Sequence, residues 1–541
     1  MIMRIDWLWI GEYKNLKDLT IDFAQEHLIT VLIGRNGTGK SNVLEAITVL
    51  FRDLIMGEQA NGNKNKPSFA YRVCYQIKDK WVRIDADPAG KEPYRIKLAP
   101  YDPDAKPASA VITFEEAPGE AMALSKLRDP DDGYLPKFVF GYYSGQSERM
   151  EEVFLKYLER YDKDLRAGKN PGLKRLFYAL PVHSNFVLLS FIVNNAELTD
   201  KFLQEQLGLE EGGIESVLFV LRQPSWTSKE GDPRFWNARG VVSEFLATLY
   251  DISLAPLRIT RKEKVSLWNS RTLEFLYLFV KDLDALRKLA AGKSSAQFFQ
   301  HLESTYVSEL IDEVRIRVKL RKNDGSVTFR ELSEGEQQLL TVLGLLRFTA
   351  EEESLFLLDE PDTHLNPRWS VEYLQHIRNF LNVNGTEKQS SHVLLATHNP
   401  VAVAELEKEQ VQILTRDKDT QAISAAEPDT HPRGMGYAGV MTSEMFGLSA
   451  ALDTHTQDLL VRKRHLSGQD VLSEDDRKTL KEINEELQTY GFRYEVRDPE
   501  LKEALRRLDQ ETMPVSEREE LPDEAEKARR LVQKALNKRG D

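Results

Sequence analysis

The sequence predicts an α/β protein: a mixed or parallel sheet flanked by helices, a small antiparallel β lobe, a mainly helical insertion and a helical C-terminal tail. Three observations predict it. The apolar run LITVLI (28–33) leads into the turn GRNGTGKSN (34–42), and helical spacing follows at Val43, Leu44, Ala46, Ile47 and Leu50. Two further apolar runs, LFLL (355–358) and VLLAT (393–397), stop at Asp359-Glu360 and at His398, with helical patterns between them. Apolar runs interleaved with helices mark strands of a parallel sheet covered on both faces. Lastly, segments 69–77, 80–86 and 94–98 read as short strands separated by turns at Lys78-Asp79 and Pro88-Ala89-Gly90, as in a small antiparallel sheet.

The remaining elements follow in chain order. Segments 4–10 and 19–23 read as a hairpin leading into the strand before the Gly-rich turn, and a polar loop (59–66) follows the first helix. A strand at 138–142 runs into Ser144-Gly145-Gln146, with a helix expected over 148–161. These elements define a first region, 1–160. The stretch 161–313 carries helical patterns at 185–193, 198–207 and 240–250, one candidate strand at 216–222, and Trp226, Trp236 and Trp268, which point to a core of its own. It is expected to be a mainly helical insertion. Region 314–435 opens with a hairpin (314–320 and 326–330) across Asp324-Gly325 and continues with a helix after Ser333, the strand ending at Asp359, a helix at 368–382 and the strand ending at His398. Segments 411–415 and 422–425 complete its sheet. From 436 to 541 the chain is charged and helical, at 458–464, 473–489, 499–508 and 516–536, and this tail is a candidate for docking a partner.

Length and composition bound the function. A chain of 541 residues is expected to form about two to four domains. Net charge is −13, from 73 basic and 86 acidic residues, which disfavours a surface broadly coated for nucleic acid but allows a local basic face. One cysteine, Cys74, excludes disulfide scaffolds, zinc knuckles and CxxC redox chemistry, and suits a reducing compartment. The N-terminal apolar run is broken at Asp6 and does not read as a signal peptide, and no run is long enough to span a bilayer. A cytoplasmic location without membrane contact is expected.

The chemistry lies in four motifs. In GRNGTGKSN the glycines Gly34, Gly37 and Gly39 let the backbone turn its N–H groups inward, and the helix that follows adds the positive end of its dipole. Lys40 can then reach β- and γ-phosphates, and the Ser41 hydroxyl can ligate Mg²⁺. Gly34, Arg35, Asn36, Gly37, Thr38, Gly39, Lys40, Ser41 and Asn42 are the candidate nucleotide cradle. LSEGE (332–336) is a capping box, Ser333 with Glu336, opening a helix. A carboxylate ending a strand, Asp359, can hold Mg²⁺ beside Ser41, and the adjacent Glu360 can polarise an attacking water as general base. His398 can hydrogen-bond the γ-phosphate, and Gln146 can sense metal and water. Taken singly, the last three motifs read as an ordinary helix cap, a strand entering a turn and a structural histidine; their joint order points to ATP hydrolysis with Mg²⁺.

On these residues the chain resembles the ABC-type P-loop ATPases, within the branch that includes SMC proteins, RecF and the OLD-like ATPases. The resemblance covers the N-terminal region and 314–425. It implies two heads sandwiching two ATP molecules, with Ser333, Gly335 and Glu336 of one subunit capping the γ-phosphate held by the other, and hence a homodimer or a pairing with a second ATPase. Asn366 stands where related ATPases often carry His or Asp. The interval from Lys40 to Ser333 is too short for a long SMC arm. Tyr142-Tyr143-Ser144-Gly145, the stretch DEPDTHLNP (359–367) and Phe446-Gly447-Leu448 before the tail are similar to the Septu-type ATPases of bacterial anti-phage systems, including retron-associated relatives. That likeness implies an HNH-type nuclease partner, with DNA or retron RNA/DNA as a further candidate partner.

The expected function is therefore a defence ATPase that regulates a separate nuclease. The alternative is a RecF- or SMC-like DNA repair or recombination ATPase; a transporter subunit fits less well, because the chain is too long and carries the insertion. No nuclease site is expected in the chain itself. Two basic clusters, RITRKEK (258–264) and RKRH (462–465), can contact phosphates or form solvated helix faces, and the second reading is preferred for each.

Overall fold

Alternating residues of the central strands serve two different cores, and that places the sheet in the middle of the fold. A computed structural model describes residues 2–490 apart from 24–25, 58–64, 103–109, 130, 146–148, 195–196, 206, 265–269, 322–325, 329–332, 350–352, 382–389, 449–450 and 468–472. Seven strands lie in the order Ile423–Ala426, Val411–Arg416, Ile29–Gly34, His392–Ala396, Ser354–Asp359, Phe138–Tyr143, Leu176–Tyr178. Every neighbouring pair is parallel except the first. Val31, Ile33, Phe140, Phe356, Leu358, Val393 and Leu395 face one core, and Leu32, Val139, Leu355, Leu357 and Leu394 face the other. Burial on both faces is why these strands read as unbroken apolar runs. Phe140 and Phe356 sit on adjacent strands, and their rings stack with centroids 4.7 Å apart.

One face is covered by helix Lys40–Met56 and by a six-stranded antiparallel sheet built from Arg4–Tyr13, Leu16–Asp22, Tyr71–Ile77, Lys80–Ala86, Tyr94–Pro100 and Glu120–Ala121. This is the expected β lobe. The other face is covered by helices His183–Asn194, Glu334–Thr349 and Pro367–Leu381.

The stretch 161–313 differs from its expected character. It supplies helices His183–Asn194, Glu197–Glu205, Gly240–Ile252, Leu283–Ala290 and Ser295–Val307, and also the long strands Leu209–Arg222, Leu254–Lys264 and Ser270–Val280. With Ile311–Leu320 and Ser326–Thr328 these strands form a second, five-stranded antiparallel sheet. RITRKEK is therefore strand, not helix face. The sequence signal was obscured because most of 254–263, and residues 270–272 and 279, are solvent-exposed, so their polar residues break the apolar alternation.

A buried ionic cluster ties the insertion to the edge of the central sheet. Glu303 of helix Ser295–Val307 pairs with Lys174 and accepts a hydrogen bond from His183 Nε2 at 2.8 Å, while the Leu180 amide donates to His183 Nδ1 at 2.7 Å. Burial alone would raise the Glu303 carboxyl, but His183 and Lys174 outweigh it and hold it at about 2.

By contacts the chain divides into two units, Met1–Val440 with Glu444–Phe446, and Met441–Ser443 with Gly447–Asp541. In the second, helices Thr454–Ser467 and Glu474–Thr489 bury Leu459, Leu466, Ile483 and Leu487 against one another. The helices expected at 499–508 and 516–536 lie outside the described residues. Among the described residues no helix is long and apolar enough to cross a membrane.

Candidate nucleotide-binding site

The parallel register brings the C-terminal ends of four neighbouring strands together, and each end carries one of the motifs. Leu32 pairs with Ala396, Ala396 with Asp359, and Asp359 with Tyr143. The phosphate loop, His398, Asp359-Glu360 and Ser144 thus emerge on one side of the sheet, where ligands of open α/β sheets bind.

The loop is set by its glycines. Gly34 has φ +151°, and a Cβ there would stand 2.4 Å from the Leu414 carbonyl oxygen. Gly39 has φ +91° and would drive a Cβ to 2.6 Å from Leu16. Thr38 closes the turn, its hydroxyl donating to the Arg35 carbonyl at 2.9 Å. Gly39 is the N-cap of helix Lys40–Met56; no side chain caps it and no acidic residue lies in the first turn. The first-turn N–H groups are left for an anion, which is the arrangement a phosphate needs.

Lys40 is buried and donates to the Gly34 carbonyl at 2.9 Å, with His398 Nδ1 3.2 Å away. Burial lowers its pKa, opposed by Glu360 and Asp359. Glu360 Oε1 lies 2.9 Å from His398 Nε2. Its backbone is left-handed, φ +53°, and its amide donates to Ala396 O at 2.8 Å, which turns the side chain off the strand line toward His398. Asp359 is buried, and burial pushes its carboxyl up to about 6 although Ser41 hydrogen-bonds it. Its Oδ1 has no hydrogen-bond partner among the described residues. A buried carboxylate oxygen without a partner, beside a serine hydroxyl, fits a hard divalent cation such as Mg²⁺.

Lys40, Ser41, Asp359, Glu360 and His398 are thus brought together. Gln146 lies outside the described residues; the backbone two positions before it, at Ser144, donates to Asp359 O at 3.2 Å. Arg35 and Asn36 are exposed in the loop, and Asn42 is held by Asn15 and by Arg149, whose NH1 donates to Asn42 Oδ1 at 3.3 Å. Ser333, Gly335 and Glu336 are not joined to the phosphate loop by any hydrogen bond among the described residues. Ser333 is exposed and closes the capping box, its hydroxyl donating to Glu336 Oε2 at 2.8 Å and accepting from the Glu336 amide at 3.3 Å. Gly335 packs so tightly on the segment after Glu360 that a Cβ would stand 2.5 Å from the His364 carbonyl oxygen. Asn366 caps helix Pro367–Leu381, accepting from Trp369 N at 3.0 Å.

Three supporting groups escaped sequence reasoning. Asn15 donates to the Gly37 carbonyl at 3.2 Å and so braces the loop from the N-terminal hairpin. Asp362 is buried and takes two 2.9 Å contacts from the Thr397 hydroxyl, joining the segment after Glu360 to the residue before His398. Arg149 exerts a field on Asp359 from the first turn of helix Arg149–Arg166. Only Arg149, three positions after Gln146, carried a usable signal.

The chain is similar in sequence to known ATPases. A family model described as "AAA ATPase domain" matches residues 3–105, and one described as "AAA domain, putative AbiEii toxin, Type IV TA system" matches residues 218–404. The "Retron Vc95 probable ATPase" of Vibrio cholerae serotype O1 biovar El Tor is 22% identical over 514 residues, 89% of this chain and 86% of that protein. On these matches the chain is an ATPase. The "Septu protein PtuA" of Bacillus mycoides (strain KBAB4) is 22% identical to this ATPase over 199 residues, which is 35% of this chain and 27% of that protein. A crystal structure of an Smc head bound to the C-winged helix domain of ScpA covers 79% of the ATPase, and 98% of that head is covered, at 14% identity and a TM-score of 0.31.

Proposed function

We propose that this ATPase hydrolyses Mg²⁺-ATP in a composite site between two copies of the chain and thereby regulates a separate effector nuclease, of HNH type, in bacterial anti-phage defence. The observation that carries the hydrolytic part is the cluster Lys40–Asp359–Glu360–His398 at one end of the sheet. The uncapped helix N-terminus and Lys40 bind the phosphates; Ser41 and Asp359 hold the metal, which would neutralise charge building on the phosphate oxygens. Glu360 accepts the proton of the attacking water, and His398 orients Glu360 and meets the γ-phosphate. The exposed capping box at Ser333, whose hydrogen bonds among the described residues are within its own helix, supports its use by the phosphates of a second copy.

The defence reading rests on similarity over most of both chains to a retron ATPase and over part of the chain to a Septu protein. Co-expression with the neighbouring reading frames tests it. Protection against phage that is lost in Glu360→Gln, and lost again when an HNH-encoding neighbour is deleted, supports the proposal. Protection that survives both changes overturns it.

A further inference from the structure

The outer face of the five-stranded sheet carries a second surface, remote in character from the ATP site. Leu276, Leu278, Val280, Val217, Phe219 and Ile316 point into the core. The alternate residues point away from it. On that outer face Leu254 pairs with Phe279 and Leu257 with Tyr277, while Ile259 pairs with Phe275. Leu254 is 52% exposed, Leu257 54%, Ile259 41% and Phe279 39%. Isolated exposed leucines are ordinary; four large apolar side chains aligned on one hairpin form a patch of the kind that marks an interaction site.

Among the described residues, strand Leu254–Lys264 is also the edge of its sheet, because the strand order begins with it. An edge strand with exposed apolar residues is a template for a further strand. Positive charge borders the patch. Arg261 lies over the Phe275 ring at 3.8 Å, and Arg315, Arg317 and Lys319 project from strand Ile311–Leu320 on the same side. Glu263, Glu313 and Asp312 are the acids there: Glu263 pairs with Arg261 and Glu313 with Arg315, each at 2.7 Å, and Asp312 lies 3.5 Å from Arg222 and 3.8 Å from Arg261, leaving Arg317 and Lys319 as further cations. The local excess of cations stands out on a chain whose net charge is −13. It sets like charge against like charge if two copies meet face to face, and the apolar stripe between the cations gives a phosphate backbone nothing to bind.

We infer that the hairpin Leu254–Lys264/Ser270–Val280 docks an extended, acidic and apolar segment of a partner protein, added as a strand along the edge at Leu254–Lys264. Alternate apolar side chains of that segment lie beside Leu257 and Ile259, and its carboxylates, on the opposite face, lie beside Arg258 and Lys262 of the same edge strand. This surface is independent of the ATP reading, so binding is measured without nucleotide.

The test uses the full chain and a fluorescein-labelled peptide of about ten alternating Val and Glu residues, long enough to pair along one strand. Fluorescence anisotropy is expected to show saturable binding, weakened at least about tenfold in Leu257→Ser/Ile259→Ser. ATP turnover of the double variant is expected to stay unchanged, which shows that it folds. Three results overturn the proposal: a Val/Lys peptide that binds as well as the Val/Glu peptide; a short duplex DNA that binds and is lost in the double variant while the Val/Glu peptide does not bind; or self-association of the unmodified chain in sedimentation that the double variant abolishes.

Discussion

Glu360→Gln isolates one charge with little change of shape. The amide has the volume of the carboxylate, can keep the 2.9 Å contact to His398 Nε2, and sits on the same left-handed backbone, φ +53°. Asp359 and its Ser41 contact are untouched. What is lost is the acceptor for the water proton. A positioned general base is worth roughly 10²–10⁴ in rate, which is about 2.7–5.4 kcal/mol of barrier. Phosphate release at saturating ATP is therefore expected to fall by at least about a hundredfold. Affinity for a fluorescent ATP analogue, measured by titration, is expected to stay within a few-fold, because the cradle of backbone N–H groups, Lys40 and the metal ligands is intact. Light scattering during size exclusion should then show two-headed particles accumulating with ATP. Turnover close to that of the unmodified protein would refute the assignment of Glu360 as base, whatever the nucleotide affinity.

Three further outcomes follow from the geometry. Gly39→Ala forces a side chain into a left-handed position and against Leu16, so nucleotide affinity should drop and the denaturation midpoint should fall by the equivalent of about 1–3 kcal/mol; an unchanged affinity would contradict the strain argument. Lys174→Met strands the buried Glu303 carboxylate with His183 alone and should cost about 3–5 kcal/mol in denaturant titration at neutral pH, whereas a neutral result would show the pair to be incidental. Glu303 is held at about 2, below its usual 4.5, so its contribution is complete above about pH 4.5 and is lost as pH falls toward 2; Glu303→Gln should flatten that acid limb of stability, measured by denaturant midpoints across the range.

The sequence carried the catalytic strands well because local and global requirements coincide there. Strands covered on both faces must be apolar throughout, and candidate ligand-binding groups sit where such strands end, so LFLLDE and LLATH each announced a strand and the place where its candidate site residue stands. The β lobe was legible for the same reason, since its turns at Lys78 and Asp79 have positive φ and its strands follow directly. The five-stranded sheet was not legible. Strand Leu254–Lys264 is exposed over most of its length, and an Arg/Lys-rich edge strand resembles a solvated helix face when only charge is read. Contacts across the fold were equally hidden: Asn15 against Gly37, Asp362 against Thr397, and Glu303 against Lys174 depend on distant segments meeting, and no local spacing encodes them.

The central claim is that the site is completed by a second copy, and complementation in trans tests it most directly. Lys40→Ala removes the phosphate ligand but keeps Ser333; Ser333→Arg fills the capping surface but keeps Lys40. Each variant alone should be inactive in ATP hydrolysis, the second while still binding ATP. Mixed in equal amounts and exchanging freely, half of the two-fold dimers pair one with the other, and each such dimer holds one intact site of two, so about a quarter of the unmodified activity should return. Full activity of Ser333→Arg alone, or no recovery on mixing, would contradict the shared site.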